Sequence, residues 1–149
     1  MDKIIHLSLS VNINYSHAFK FFYDSKLLEN WLAGLADVEP RKGGKYELFW
    51  DPENKHENST MGCKITAFVK NEMIAFEWKS PKQFAAFANS ADPLTHVTVS
   101  FAAPDENITN IHLIHSGWRN TPEWEEARLW QENAWKTAFT SLDELVRHM

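Results

Sequence analysis

The chain has 149 residues, with seven Trp, ten Phe, a single cysteine (Cys63) and a net charge of -5. A chain of this length buries roughly 70% of its unfolded surface, so it needs no metal to fold, and one cysteine allows no internal disulfide. The acidic balance excludes a nucleic-acid partner, which needs a basic face, and no stretch approaches the roughly 20 apolar residues of a membrane span.

The first sixteen residues, MDKIIHLSLSVNINYS, are interrupted by polar side chains and do not read as a signal peptide. The expectation is a cytoplasmic protein. Repeats, low-complexity tracts and linkers are missing from the pattern, so residues 1–149 read as one domain.

Residues 4–11 alternate, with Ile5, Leu7, Leu9 and Val11 on one face, which predicts a half-buried strand. Asn14 or Ser16 offers a helix cap before Ala18, Phe19, Phe22 and Tyr23. A second short helix is expected over about 26–32, with Gly34 as its C-terminal cap. Pro40 and Gly43-Gly44 mark a turn into a strand over 45–50, followed by a polar loop over 51–58. Residues 60–69 and 73–79 read as a hairpin around Lys70-Asn71-Glu72. The segment 80–93 breaks the strand pattern and carries Phe84 and Phe87, read either as a lid or contact patch or as the edge of the core. Strands follow over 96–103 and 108–115.

Thr121-Pro122-Glu123 is a helix start: Thr caps, Pro suits the first turn, and acidic residues suit the positive end of the dipole. The helix runs to about Val146, on the order of 37 Å at 1.5 Å per residue. With no β-α alternation the sheet should be antiparallel. The fold class is therefore α+β, of the helix-grip type. A curved antiparallel sheet of about six strands surrounds one long C-terminal helix, and two short helices follow the first strand.

The stretches Ala36-Asp37-Val38-Glu39-Pro40-Arg41-Lys42-Gly43-Gly44, Gly62-Cys63-Lys64-Ile65-Thr66-Ala67-Phe68, Ala75-Phe76-Glu77-Trp78 and His115-Ser116-Gly117-Trp118 resemble a known family. It comprises bacterial homologues of the C-terminal domain of the activator of the heat-shock chaperone ATPase. That group lies within the START-like, polyketide-cyclase and birch-pollen-allergen superfamily, whose members bind lipids, hormones and polyketides and include some cyclases and hydrolases. The eukaryotic activator also has a separate N-terminal domain that grips the chaperone, which this chain is read as lacking.

One helix cannot fully cover a wide curved sheet, so the gap is expected to form a cavity. Its expected wall is Tyr46, Phe76, Trp78, Val97 and Val99 from the strands, with Trp31 and Trp135 facing them from helices. For any one of these residues a filled core stays open as the alternative. Pairing Phe101 with Ile111 and Val99 with Leu113 puts His115 opposite Val97, on the inner face near one cavity end. The histidines and Cys63 lack ligand-like spacing, so no metal and no cofactor are expected. Asp37, Glu39, Asp51 and the basic cluster Arg41, Lys42, Lys45 read as solvated turns. Three functions stay open. The first is binding of a small hydrophobic molecule, and the second is contact with a chaperone or other protein. The third is an enzyme on a bound hydrophobic substrate with His115 as acid or base.

Overall fold

The computed structural model describes residues 3–149. The expected helix-grip α+β arrangement is the one observed. Strand β1 (Ile5–Val11) leads into helices α1 (Tyr15–Lys20) and α2 (Ser25–Trp31), then strands β2 (Leu35–Val38) and β3 (Tyr46–Phe49). Strands β4 (Ile65–Val69) and β5 (Met73–Trp78) follow, then a short helical segment ending in α3 (Ala85–Ala88). Strands β6 (Thr95–Asp105) and β7 (Ile108–Ser116) precede the long helix α4 (Pro122–Arg147).

The strands divide into a five-stranded antiparallel sheet, β1-β7-β6-β5-β4, and a two-stranded sheet, β2-β3. The sequence pattern suggested one sheet of about six. Two local causes account for the difference. Residues 35–38 pair with β3, Leu35 opposite Phe49, a strand too short to show periodicity. The stretch expected as strand from residue 60 turns instead, because Thr60 takes over the ladder. Its hydroxyl accepts from the Leu48 amide at 2.8 Å and donates to the Tyr46 carbonyl at 2.9 Å. The bridge Lys45–Lys64 and the backbone bonds between Gly43, Gly44 and Ile65 tie the chain leading into β3 to β4, while the bridge Phe49–Ser59 holds the following loop on β3.

Gly34 has a different role from the expected helix cap. Helix α2 ends at Leu32 in ordinary right-handed geometry, and Gly34 donates its amide to the Phe49 carbonyl at 3.1 Å. A Cβ there would meet Phe49 O and Pro52 at 3.3 Å, so the glycine serves close approach of two chain segments.

The register on the central pair is the one that matching apolar faces demands: Phe101 opposite Ile111, Val99 opposite Leu113, Val97 opposite His115. Caps follow the sequence signals. Asn14 accepts from the Ser16 amide, and Thr121 Oγ1 accepts from the Trp124 amide with Pro122 opening the helix. Helix α4 buries Trp124, Ala127, Gln131, Trp135, Phe139, Leu142 and Val146, one stripe at three- and four-residue spacing. Phe84 is buried and Phe87 half-buried, both against this helix. Their rings lie 6.1 Å from Trp130 and 5.2 Å from Trp124 respectively.

Each large apolar side chain in that stripe contributes roughly 1.5–3 kcal/mol, against a total stability of about 5–15 kcal/mol. Leu142, 1% exposed, sits in the middle of the apolar end of the helix. Leu142→Ala is expected to cost about 2–5 kcal/mol in urea unfolding, and deleting everything after Gly117 should abolish cooperative unfolding. A truncated chain with a sharp transition would show that the sheet stands without its helix.

Candidate functional site

A cleft of about 600 Å³ opens between α4 and the edge of the sheets. The helix supplies Trp130, Gln131, Ala134, Trp135, Thr137, Ala138 and Ser141. The end of α2 supplies Trp31 and Leu32, the loop after β3 supplies Trp50, Asp51, Asn58 and Ser59, and the exit from β5 supplies Trp78, Lys79, Pro81 and Gln83. Five of the seven tryptophans line this one space.

The indole N–H groups of four of them are committed to the protein. Trp31 donates to the Phe21 carbonyl (3.1 Å) and Trp50 to the Leu32 carbonyl (2.7 Å). Trp78 donates to Gln131 Oε1 (3.2 Å) and Trp135 to His115 Nδ1 (3.1 Å). Their hydrogen-bonding needs are met within the protein, and the rings present apolar surface to the cleft. The hydroxyls behave alike: Thr137 donates to Asn133 O and Ser141 to Thr137 O, both along the helix backbone.

Of the eight residues anticipated from sequence, Trp31, Trp78 and Trp135 line the cleft. Tyr46, Phe76, Val97, Val99 and His115 lie behind it, all with 0% exposure. Aromatic side chains fill the space in front of them. Tyr46 stacks on Phe76 with centroids 3.8 Å apart, and its hydroxyl donates to the Phe22 carbonyl. Burial drives that phenol's pKa upward. Trp135 packs 4.9 Å from Trp78, and Phe22 packs on Trp31 at 5.0 Å. The open space is thereby displaced from under the sheet to its edge.

Trp50, Trp130 and Gln131 were not singled out from the sequence as site residues. One signal was available. On α4 the file Trp130, Ala134, Ala138, Ser141 sets small residues beside a large ring, and such a file leaves a groove along a helix. Trp50 and Trp130 are each 41% exposed, a costly state for an indole.

His115 is locked as a neutral imidazole. Trp Nε1–H can only donate, so Nδ1 of His115 must be the bare nitrogen, and its Nε2–H faces Thr95 Oγ1 at 3.0 Å. Burial, reinforced by His96, pulls its pKa down to about 3. Both nitrogens are engaged within the protein, and the ring reaches neither solvent nor the cleft. Its carbonyl also accepts from Trp118 Nε1 at 3.1 Å, so the residue joins β7, β6 and α4.

The remaining candidates are spoken for. Asp37 pairs with Lys45 at 2.8 Å, Glu39 with Arg41 at 3.7 Å, and Asp51 accepts from the Glu53 amide. Burial pushes the Cys63 thiol up to about 12, so it is no nucleophile at neutral pH. Among the described residues no three His, Cys, Asp or Glu side chains gather, and no helix is long and apolar enough to cross a membrane.

The buried histidine sets a pH dependence. Unfolded, it titrates near 6.5. Folded, it stays neutral down to about 3. The unfolded state therefore binds the extra proton first, and stability is full above pH 6.5 and falls as pH drops below it, by up to about 1.4 kcal/mol per unit. Urea unfolding at pH 7, 6 and 5 should show this slope. His115→Gln, which can still accept from Trp135 and donate to Thr95, should flatten it. An equal slope in both proteins would mean another group dominates.

Comparison with known proteins places these features. Among curated proteins no relative matches. Among solved structures, a protein from Mesorhizobium loti is 19% identical, covering 99% of this chain and 98% of its own, with a TM-score of 0.79. A Plasmodium falciparum protein described as an HSP90 activator is 21% identical over 97% of this chain and 96% of its own, with a TM-score of 0.73. The Aha1 dimer from Colwellia psychrerythraea is 13% identical over 97% and 96%, with a TM-score of 0.70. At these identities the likeness shows the fold. The sequence family described as Activator of Hsp90 ATPase homolog 1-like protein matches residues 13–147, and the chain belongs to it.

Proposed function

We propose that this protein binds a small, flat, largely apolar molecule in the cleft between α4 and the sheet edge. The observation that carries this reading is the convergence of five tryptophans on one space, four with their N–H groups turned into the protein. A pocket of about 600 Å³ with apolar walls and a few placed polar groups suits a ligand of drug-like size. The exposed rings of Trp50 and Trp130 gain cover when such a ligand enters.

The test is titration with Nile red, an uncharged dye that brightens in apolar surroundings. Ala134 and Ala138 line the cleft from the helix and are half-buried. Ala134→Trp and Ala138→Trp should fill it and weaken dye binding by about tenfold or more, a loss of roughly 1.4 kcal/mol, with little change in melting temperature. Dye binding that ignores both plugs would sink the proposal.

A second reading is contact with a heat-shock chaperone. The family match and the description of the Plasmodium relative favour it. Added in excess to the organism's own chaperone, the protein should then raise its ATPase rate, and an unchanged rate at saturation removes this reading.

A further inference from the structure

The cleft holds a buried polar group that the apolar walls do not explain. Gln131 is 4% exposed and lines the cleft. Its orientation is fixed by chemistry: the Trp78 indole N–H can only donate, so the amide oxygen of Gln131 faces it, at 3.2 Å. The NH₂ group must then point the other way. Among the described residues it donates to nothing, yet no fully buried side-chain nitrogen or oxygen lacks a partner. The NH₂ is therefore the part of Gln131 that opens on the cleft.

Resting on the ligand-binding reading above, we propose that the ligand is an uncharged aromatic molecule carrying a carbonyl oxygen, which accepts a hydrogen bond from Gln131 Nε2 between the tryptophan walls. Flatness follows from the walls, because Trp50, Trp78 and Trp130 offer ring surfaces. The acceptor follows from Gln131, the buried lining side chain with an uncommitted donor, whereas Asn58, Lys79, Gln83 and Trp130 are half-buried or exposed. A donor left dry beside a ligand costs free energy, so the site selects for a partner oxygen there. The absence of charge follows from the other polar residues. Lys79 lines the cleft, but its ammonium is held by the Met61 carbonyl at 2.6 Å. Asp51 also lines the cleft, so its wall carries one charge of each sign and favours neither an anion nor a cation.

Fluorenone and fluorene test this directly, because they share a flat tricyclic frame and differ by a carbonyl in place of a methylene. Partition out of water alone favours fluorene. Calorimetric titration of the wild-type protein should instead show fluorenone binding tighter, by roughly three- to tenfold, the range of one net hydrogen bond. Gln131→Met keeps length and a weak sulfur acceptor for Trp78 but removes the donor, so the preference should vanish or reverse. Gln131→Leu should do the same. Equal binding, or tighter binding of fluorene, in the wild type overturns the inference and leaves the ligand-binding reading standing. A fluorenone preference retained in both variants removes Gln131 as its source. Failure of both probes and of Nile red to bind overturns the binding reading itself. The wild-type comparison needs no substitution, so a variant that fails to fold does not shield the inference.

Discussion

Two side-chain hydrogen bonds fix the long helix on the sheet, and the rest of the architecture depends on them. Trp135 on α4 donates to His115 on β7, and Trp78 on β5 donates to Gln131 on α4. One bond runs from helix to sheet and the other from sheet to helix, four residues apart along α4. A purely apolar interface tolerates sliding, because dispersion and hydrophobic contacts have little directionality. A one-turn slide of about 5.4 Å would strand two indole N–H groups, an imidazole nitrogen and an amide oxygen in a low-dielectric interior. The buried polar atoms therefore select one register for the helix, and with it the position of the α4 side chains bordering the cleft.

The same bonds decide what the cleft can be. An indole brings a large apolar surface with one obligatory donor. If those donors faced the cleft, the space would be polar and hydrated. Here four of them are turned onto acceptors in the surrounding protein: backbone carbonyls for Trp31 and Trp50, side chains for Trp78 and Trp135. The acceptor for Trp135 is a histidine that burial keeps neutral, which leaves Nδ1 free to accept. His115 thus acts on the cleft from behind, by holding Trp135, although it touches none of the open space.

Much of the fold was legible in the sequence because it rests on local or pairwise rules. Alternation fixed which faces of β6 and β7 match, and so placed His115 opposite Val97. Thr121 and Pro122 announced α4, and Asn14 announced α1. What escaped depends on distant neighbours. Gly34 looked like a helix cap and instead allows Phe49 and Pro52 to approach. Thr60 looked like strand and instead bridges β3 through its hydroxyl. The candidate wall was legible by halves for a related reason. Periodicity says that Tyr46, Phe76, Val97 and Val99 face inward, but not whether another side chain already covers them. That depends on how aromatic side chains far apart in sequence, such as Phe22, Trp31 and Phe139, interlock. Trp50 and Trp130 were missed for the converse reason: an exposed tryptophan and a core tryptophan look alike in a sequence.

The tryptophans of this structure differ sharply in burial. Trp135 is 1% exposed and Trp78 3%, and core packing explains both. Trp50 and Trp130 are each 41% exposed, and both line the cleft. Trp50 is nevertheless anchored, by its bond to the Leu32 carbonyl and an edge contact 5.6 Å from Trp78. Trp130 is braced by Phe84, at 6.1 Å, in a segment whose prolines and alanines give it no strand to join. A side chain held in place without being covered keeps its ring in a defined position while leaving its face open to solvent. Such preorganisation lowers the ordering cost of covering that face later. The anchoring of two exposed rings around one space is the preorganisation that the proposed ligand-binding role would use.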